Sequence, residues 1–298
     1  MKILLLGKDG QVGQELQRTL LPLGKVIALG RQDANLEDPA SIERALSSHA
    51  PGIIVNAAAY TAVDKAESDE TTARKINADA VAVLAQYANR TNALLVHYST
   101  DYVYDGEKNS SYVETDSTGP QSAYGRTKLE GEQAIVQSNC HALVFRTSWV
   151  FSAHGGNFIK TIMRLAKERD SLSIVADQIG APTSAELLAD VTALAIAAYK
   201  QQKPIKAGIY HLAASGETSW HGLATHVVKR LEEKGVALAL SASEIRAIGT
   251  DEYPLPAIRP KNSRLDTSKL SNALGLEIPH WTIYADRTID QLTKTDKK

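Results

Sequence analysis

The chain has 298 residues, which is enough for one large or two modest domains with a buried core. Its 33 basic and 34 acidic side chains leave a formal charge of −1, which argues against a protein that binds nucleic acid by neutralising phosphates. Cys140 is the single cysteine, so the sequence excludes an intramolecular disulfide and a cysteine-rich metal site. The apolar runs are too short for a signal peptide or a membrane span, and we expect a cytoplasmic protein without membrane contact.

The first half of the chain alternates short apolar runs with longer helical patterns, which is typical of βαβ units. Right-handed connections between such units predict an α/β fold with a Rossmann-type, doubly wound parallel sheet. The ligand site of such a sheet lies at the carboxyl ends of its strands. The predicted strands are Lys2–Leu6, Lys25–Leu29, Gly52–Asn56, Leu94–Ser99 and Ala142–Thr147.

Apolar residues between Ala66 and Arg90 recur at spacings of three and four, and this periodicity predicts a helix there. A shorter helix is predicted at Ser41–Ser48, where Asp38 and Pro39 form the entry. In the second half of the chain, prolines and glycines mark loops between further helices. These predicted helices are Phe158–Glu168, Ser184–Tyr199 and Ser219–Lys234.

The change in pattern near residue 150 predicts two domains. Residues 1–150, with about 178–207 returning to them, are predicted to form the Rossmann domain. Residues of about 151–177 and 208–298 are predicted to form a smaller, irregular C-terminal substrate domain.

Three evenly spaced glycines follow the first predicted strand. Gly7, Gly10 and Gly13 enclose Gln11 and Val12 and lead into a helix. Glycine lets the backbone turn sharply and approach a pyrophosphate, whose charge is stabilised by the amino terminus of the helix. The spacing G-x-x-G-x-x-G meets the dinucleotide-binding pattern G-x-G-x-x-G only loosely. Its position after the first strand favours a phosphate site over a simple tight turn.

The tip of the second predicted strand bears on the choice of cofactor. An acidic residue there would bind the ribose 2′-hydroxyl of NAD, but the chain has Gly30 and Arg31. Arg31 is able to bind a 2′-phosphate through charge-assisted hydrogen bonds, so the sequence favours NADPH, with NADH as the alternative. Asp33 stands close by, and a solvated surface charge is the competing interpretation of Arg31.

Tyr124 and Lys128 are four residues apart at the start of a predicted helix, which places their side chains on one face. The unperturbed pKa of tyrosine is about 10, and a neighbouring ammonium lowers it towards neutral pH. Tyr124 is therefore predicted to donate a proton to a ketone oxygen while a nicotinamide supplies a hydride. Thr100, just after the fourth predicted strand, is the predicted donor that holds the ketone oxygen.

Six segments form a recognisable set: Gly7–Gly13, Asn56–Asp64, Ser99–Val103, Tyr124–Lys128, Arg146–Val150 and Arg259–Leu265. With them the chain resembles the extended short-chain dehydrogenase/reductase superfamily and, within it, the dTDP-4-dehydrorhamnose reductase family, over nearly its whole length. The resemblance implies reduction of the C4 ketone of dTDP-4-dehydro-L-rhamnose to dTDP-L-rhamnose with NADPH or NADH.

The resemblance also implies roles for single residues. The implied cofactor residues, from pyrophosphate to nicotinamide, are Gly10, Gln11, Val12, Asn35, Leu36, Ala58, Ala59 and Tyr60. The implied catalytic residues are Tyr124 as proton donor, Lys128 as its partner and as a contact of the nicotinamide ribose, and Thr100. The implied sugar contacts are Thr100, Asp101 and Trp149.

A basic loop runs from Arg259 to Arg264. Arg259 and Asn262 are predicted to bind the diphosphate of the nucleotide sugar, and a solvated loop that packs the domains together is the competing interpretation. The resemblance further raises a Mg²⁺ site at a homodimer contact, with Glu15 and Glu186 as ligands and ordinary surface glutamates as the alternative.

Two other functions share some of these features. A nucleotide-sugar epimerase or dehydratase of the same superfamily would keep Tyr124 and Lys128 but would regenerate NAD in each turnover. A non-catalytic subunit, related to the regulatory partner of methionine adenosyltransferase, would keep the fold without the reaction.

Overall fold

The computed structural model describes residues 1–201 and 205–295. Its centre is a six-stranded sheet. The strands of this sheet are β1 (Lys2–Leu6), β2 (Lys25–Leu29), β3 (Ile53–Asn56), β4 (Leu94–Thr100), β5 (Ala142–Thr147) and β10 (Gly208–His211). They lie in the order β10-β5-β4-β3-β1-β2, and every neighbouring pair is parallel. The α/β class and the doubly wound parallel sheet predicted from the sequence are confirmed.

The strand predictions are confirmed in place, and two of them differ from the structure by one residue at one end. The short β10 escaped prediction, because four residues that begin with glycine carry little periodicity. It pairs with β5, so the sheet includes residues after position 207. The division of the chain into two domains stays a prediction.

Helices cover both faces of the sheet. They are α1 (Gln11–Thr19), α2 (Pro39–His49), α3 (Val63–Ser68), α4 (Glu70–Arg74), α5 (Ala80–Thr91), α6 (Ala123–Ser138), α7 (Phe158–Glu168), α8 (Ala185–Lys200), α9 (Trp220–Glu233), α10 (Ser268–Leu274) and α11 (Trp281–Thr295). No helix within the described ranges is both long and apolar enough to cross a membrane.

The predicted helix from Ala66 to Arg90 is confirmed for residues 70–90 but is interrupted at Asp69. The chain leaves helical geometry at Asp69 and passes through a wider π-helical turn at Lys75–Asp79 before α5 begins. The wide turn directs the Asn77 side chain to the backbone of Tyr60 and to the hydroxyl of Thr127 on α6. The apolar spacing is correct for α5, but it carries no information about these buried polar bonds.

Successive side chains of β1 point alternately into two hydrophobic cores, one on each face of the sheet. Ile3 and Leu5 face the core beneath α1 and α8, whereas Leu4 and Leu6 face the core beneath α2 and α5. All four side chains are at most 2% exposed. A strand buried on both faces is held rigidly, so its end fixes the position of the loop that follows.

Shorter strands belong to the region that lies over the carboxyl edge of the sheet. They are β6 (Val150–Phe151) with β9 (Thr183–Ser184), β7 (Leu172–Val175) with β12 (Ile245–Ile248), and β8 (Ile179–Gly180) between β11 (Thr218–Ser219) and β13 (Asn262–Ser263). These pairs bring segments that are distant in sequence to the edge of the sheet where the polar residues gather.

Candidate active site

The glycine loop lies where the strand order reverses, between β1 and β3. Gly7 has φ +84°, and the N–H groups of Gly7 and Lys8 both donate to the Leu29 carbonyl. A Cβ on Gly7 would lie 2.7 Å from the Ala58 nitrogen, and a Cβ on Gly13 would lie 1.9 Å from the Gly7 carbonyl oxygen. Only glycine fits at these two positions, because the atoms in the way belong to the backbone.

Helix α1 begins directly behind this loop, with Gly10 as its first flanking residue. No side chain caps the helix and its first turn contains no acidic residue, so the positive end of its dipole faces the adjoining cavity. That cavity has a volume of about 740 Å³. Among its lining residues are most of the predicted cofactor contacts: Gly7, Gly10, Gln11, Val12, Arg31, Asn35, Leu36, Ala58, Ala59, Tyr124 and Lys128.

Arg31 is exposed at the tip of β2 and lines the cavity. The nearby carboxylate of Asp33 accepts hydrogen bonds from the Gly30 N–H at 2.9 Å and from Lys8 Nζ at 3.0 Å. These two donors hold the pKa of Asp33 below its ordinary value. Oδ2 of Asp33 is therefore already bound, and Arg31 and Asp9 are the charged residues that line the cavity near Gly30.

Thr100 and Tyr124 meet at the carboxyl edge of the sheet, where β4 ends and α6 begins. The Thr100 hydroxyl donates to Asp101 Oδ1 at 3.0 Å, and the Tyr124 hydroxyl lies near the Thr100 hydroxyl. Burial raises the pKa of Tyr124 to about 12, although the nearby Thr100 hydroxyl acts in the opposite direction. Tyr124 therefore remains protonated at neutral pH and is suited to act as a proton donor.

Lys128 lies one helical turn after Tyr124 and is 2% exposed. Its Nζ donates to the Tyr98 carbonyl at 2.6 Å and lies 3.3 Å from Nε2 of His97. Burial lowers the pKa of Lys128 to about 8, against the opposing charge of Glu132. The pKa of Tyr124 is raised by burial instead of being lowered by Lys128 as expected, and Nζ of Lys128 is directed towards Tyr98 and His97.

Asp101 is 2% exposed and lies beside the Thr100 hydroxyl. Burial raises the pKa of this carboxyl to about 6, against the bonds that it receives from Ser263 and Thr100. Its Oδ2 atom is buried without a hydrogen-bond partner among the described residues. A buried acceptor of this kind fits the predicted contact with a sugar hydroxyl.

Trp149 stacks on Trp220, with ring centroids 3.7 Å apart and planes inclined by 13°. Trp149 has φ +50°, a left-handed conformation that is unusual for a bulky residue. The Trp220 indole N–H donates to Gln178 Oε1 at 3.1 Å. Both rings line the cavity at Tyr124, and Trp220 also lines a second cavity of about 1170 Å³.

Arg259 lines the larger cavity and donates from Nη2 to Asp64 Oδ2 at 2.6 Å. It lies near the hydroxyl of Tyr102, and its Nη1 atom is buried without a hydrogen-bond partner among the described residues. An arginine anchored on one side with a free donor on the other is suited to bind an anionic group.

Three predicted contacts have other surroundings. Gly13 supports the glycine loop from behind, and Tyr60 packs on Ala66 with its hydroxyl near Asp69, so neither residue lines the cavity of Tyr124. Asn262 lines the larger cavity, but its amide is committed to the carbonyls of residues 108 and 110 and to the backbone and side chain of residue 264. It organises the basic loop and has little hydrogen-bonding capacity left for a ligand.

Comparison with known proteins adds a family to this geometry. The family model described as RmlD substrate binding domain matches residues 1–294. A dTDP-4-dehydrorhamnose reductase of Burkholderia thailandensis is 49% identical over 284 residues, which cover 94% of this chain and 95% of that protein. The chain belongs to the dTDP-4-dehydrorhamnose reductase family.

Solved structures of this family have the same fold. A dTDP-4-dehydrorhamnose reductase of Clostridium acetobutylicum superposes with a TM-score of 0.89 at 35% identity, covering 98% of this chain and 100% of that one. The dTDP-4-dehydrorhamnose reductase of Bacillus anthracis, solved in complex with NADP, superposes with a TM-score of 0.86 at 29% identity, covering 97% and 99% of the two chains.

The structure adds residues to the site of this family member that the sequence analysis left without a role. Tyr102 packs edge-on against Tyr124 at 5.5 Å between ring centroids and lines both cavities. Trp220 lies at the start of α9, about 70 residues from Trp149 in sequence, and no local pattern connects the two. The sequence could have pointed to Tyr102, because this residue belongs to the segment Ser99–Val103 that carries part of the resemblance.

A Mg²⁺ site at Glu15 and Glu186 finds no support in the described part of this reductase-family chain. Glu186 accepts from Arg287 at 2.7 Å and from Gln291 at 3.1 Å, whereas Glu15 lies 3.6 Å from His154. The described residues contain no group of three or more His, Cys, Asp or Glu side chains that could hold a metal ion.

Proposed function

We propose that this protein reduces the C4 ketone of dTDP-4-dehydro-L-rhamnose to dTDP-L-rhamnose with NADPH. The observation that carries the proposal is that Thr100, Tyr124 and Lys128 line one cavity together with the uncapped end of α1. The reductase relatives named above support the choice of substrate.

The residues fit a nicotinamide dinucleotide, because the glycine loop and the uncapped helix leave room and positive potential for a pyrophosphate. When bound, the reduced nicotinamide supplies the hydride. Thr100 orients the ketone oxygen by turning its single hydroxyl hydrogen to it from Asp101 Oδ1, and Tyr124 gives its phenolic proton to the oxygen as negative charge develops there. Because an alkoxide is a stronger base than a phenolate, a tyrosine that is protonated at neutral pH can serve as the acid.

The Trp149–Trp220 stack and Asp101 would position the sugar, and Arg259 would bind the diphosphate. A flat aromatic surface gives broad apolar contact to a sugar ring. The free Nη1 of Arg259 and the free Oδ2 of Asp101 are the unpaired polar atoms that such a ligand would satisfy.

NADPH is proposed over NADH because Arg31 lines the cavity while Asp33 is bound to Lys8 and Gly30. The Bacillus anthracis relative in complex with NADP supports this choice. Location in the cytoplasm, assembly as a homodimer and binding of Mg²⁺ at the dimer contact remain predictions from the sequence.

Arg31→Ala is expected to raise the KM for NADPH about 10- to 100-fold and to leave the KM for NADH nearly unchanged, because only NADPH carries the 2′-phosphate. Initial rates with each cofactor measure both constants. Arg44→Ala is the control, since Arg44 is an exposed arginine on α2 that pairs with Asp38. Equal effects of Arg31→Ala on both cofactors would show that Arg31 does not read the phosphate.

The direct test of the reaction is the loss of NADPH absorbance, and separately of NADH absorbance, with dTDP-4-dehydro-L-rhamnose as substrate. The expected result is one NADPH oxidised for each dTDP-L-rhamnose formed. Conversion of the ketosugar to a different product without net oxidation of NADPH or NADH would indicate an epimerase or dehydratase instead. No oxidation at all, together with a stable complex with a methionine adenosyltransferase, would indicate a regulatory subunit.

A further inference from the structure

A chain of buried polar side chains lies behind Lys128, and the proton donation by Tyr124 does not use it. Asn56 ends β3, His97 is in β4 and Lys128 is on α6, and each is at most 2% exposed. Asn56 Nδ2 lies 3.2 Å from His97 Nδ1, and His97 Nε2 lies 3.3 Å from Lys128 Nζ. The two strands pair in parallel with Asn56 opposite His97, so the sheet itself fixes the first of these contacts.

The direction of the bond between Asn56 and His97 follows from a third group. Asn56 Oδ1 accepts the backbone N–H of Ala58 at 3.2 Å, so the amide presents its Nδ2 donor to Nδ1 of His97. Burial holds the pKa of His97 well below its ordinary value, so the ring is neutral. A neutral imidazole that accepts at Nδ1 carries its hydrogen at Nε2, where it faces Lys128.

An Nε2–H can donate only to a lone pair. A lysine amine has a lone pair, whereas an ammonium has none. The Tyr98 carbonyl, 2.6 Å from Nζ, accepts a hydrogen from either form and does not discriminate between them. We propose that Asn56 locks His97 in its Nε2–H tautomer and that His97 thereby stabilises the amine form of Lys128, which makes Asn56 and His97 positioning residues for the proton on Lys128.

Other charged and titratable groups near Lys128 act differently. Glu132, one turn further along α6, favours the ammonium, but Arg146 on β5 is bound to Glu132 at 2.5 Å. Tyr124 and Asp101 share the cavity with Lys128. Protonation of Lys128 would require His97 to change tautomer and Asn56 to give up its bond to Ala58, and this cost adds to that of burial. The inference concerns the free protein and stands or falls independently of the proposed substrate.

The test reads the tautomer directly. In protein with ¹⁵N-labelled histidine, the nitrogen shifts of His97 report which ring nitrogen carries the hydrogen, and comparison with His97→Gln assigns its signals. The expected result is a neutral ring with hydrogen at Nε2 above about pH 9, where Lys128, whose pKa is about 8, is in its amine form. A ring with hydrogen at Nδ1, or an imidazolium, would overturn the proposal without the need for any other variant.

The effect on Lys128 is tested with Asn56→Ala, followed by the ¹³C shift of the lysine Cε during a pH titration. Loss of the lock is expected to move His97 to the Nδ1–H form and to raise the pKa of Lys128 by about one pH unit, roughly the worth of one hydrogen bond. Asn77→Ala is the matched control, since it removes an equally buried amide that bonds to Tyr60 and Thr127. An unchanged Lys128 titration in Asn56→Ala, or an equal shift in the control, would refute the role of His97.

Discussion

Tyr124→Phe is expected to lower kcat for ketone reduction by about 10²- to 10⁴-fold while leaving the affinity for NADPH nearly unchanged. The hydroxyl lost in this variant is the proposed proton donor, which lies near the Thr100 hydroxyl. Phenylalanine keeps the ring and its edge-on contact with Tyr102, so the cavity retains its shape. The loss therefore falls on the transition state, where the developing alkoxide has no proton donor.

Steady-state kinetics with the ketosugar and fluorescence titration with NADPH separate the two effects. Tyr210→Phe is a suitable control. Tyr210 is on the edge strand β10, and its hydroxyl donates to the backbone carbonyl of Lys206. Reduction by Tyr124→Phe at the rate of the parent protein would assign proton donation to another group. A loss of NADPH affinity as large as the loss of kcat would show that the hydroxyl serves binding.

The pH dependence of the same rate follows from the direction of the pKa shift. Burial raises the pKa of Tyr124 to about 12, so its acid form persists from neutral to moderately alkaline pH. A fall in kcat/KM between about pH 7 and 9 would consequently not report Tyr124. We expect such a fall to report Lys128, whose pKa burial lowers to about 8, and to move with the Asn56→Ala substitution.

The strands of the sheet were predictable because their determinants are local. The run Ile3–Leu6 is apolar throughout and is followed by glycine, and a strand buried on both faces has this pattern. The glycine loop was predictable for the same reason, since its chemistry is contained in seven consecutive residues. Thr100, Tyr124 and Lys128 could be placed together because each stands at the end or start of a predicted element.

What the sequence could not provide are contacts between distant segments. His97 looks like an ordinary strand residue until β3 places Asn56 beside it and α6 places Lys128 on its other side. Asn262 shows the opposite case. The sequence predicts that it contacts a ligand, but its amide already donates to the carbonyls of Lys108 and Ser110. In both cases the deciding quantity is the hydrogen-bond partner of a buried polar group, and no local pattern specifies that partner.

Arg146→Met is expected to destabilise the protein by about 3–5 kcal/mol, since it strands a buried carboxylate. Arg146 on β5 and Glu132 on α6 are 3% and 2% exposed, and the guanidinium contacts the carboxylate through both Nε and Nη2. Arg146 also donates to the Tyr104 hydroxyl at 2.7 Å, and this hydroxyl lies 2.7 Å from His211 Nε2. Methionine fills much of the same space but offers no donor to any of these groups.

The free energy of unfolding in urea measures the effect. Arg164→Met removes an exposed pair with Glu168 and should cost less than about 1 kcal/mol, because water solvates the carboxylate that remains. The double variant Arg146→Met with Glu132→Leu should recover much of the stability, since it removes the stranded charge together with its partner. If Arg146→Met costs no more than Arg164→Met, the buried pair does not stabilise the junction of β5 and α6.

Arg146→Met should also change the pKa of Lys128. Glu132 raises this pKa, and without Arg146 to neutralise the carboxylate the pKa of Lys128 should rise further.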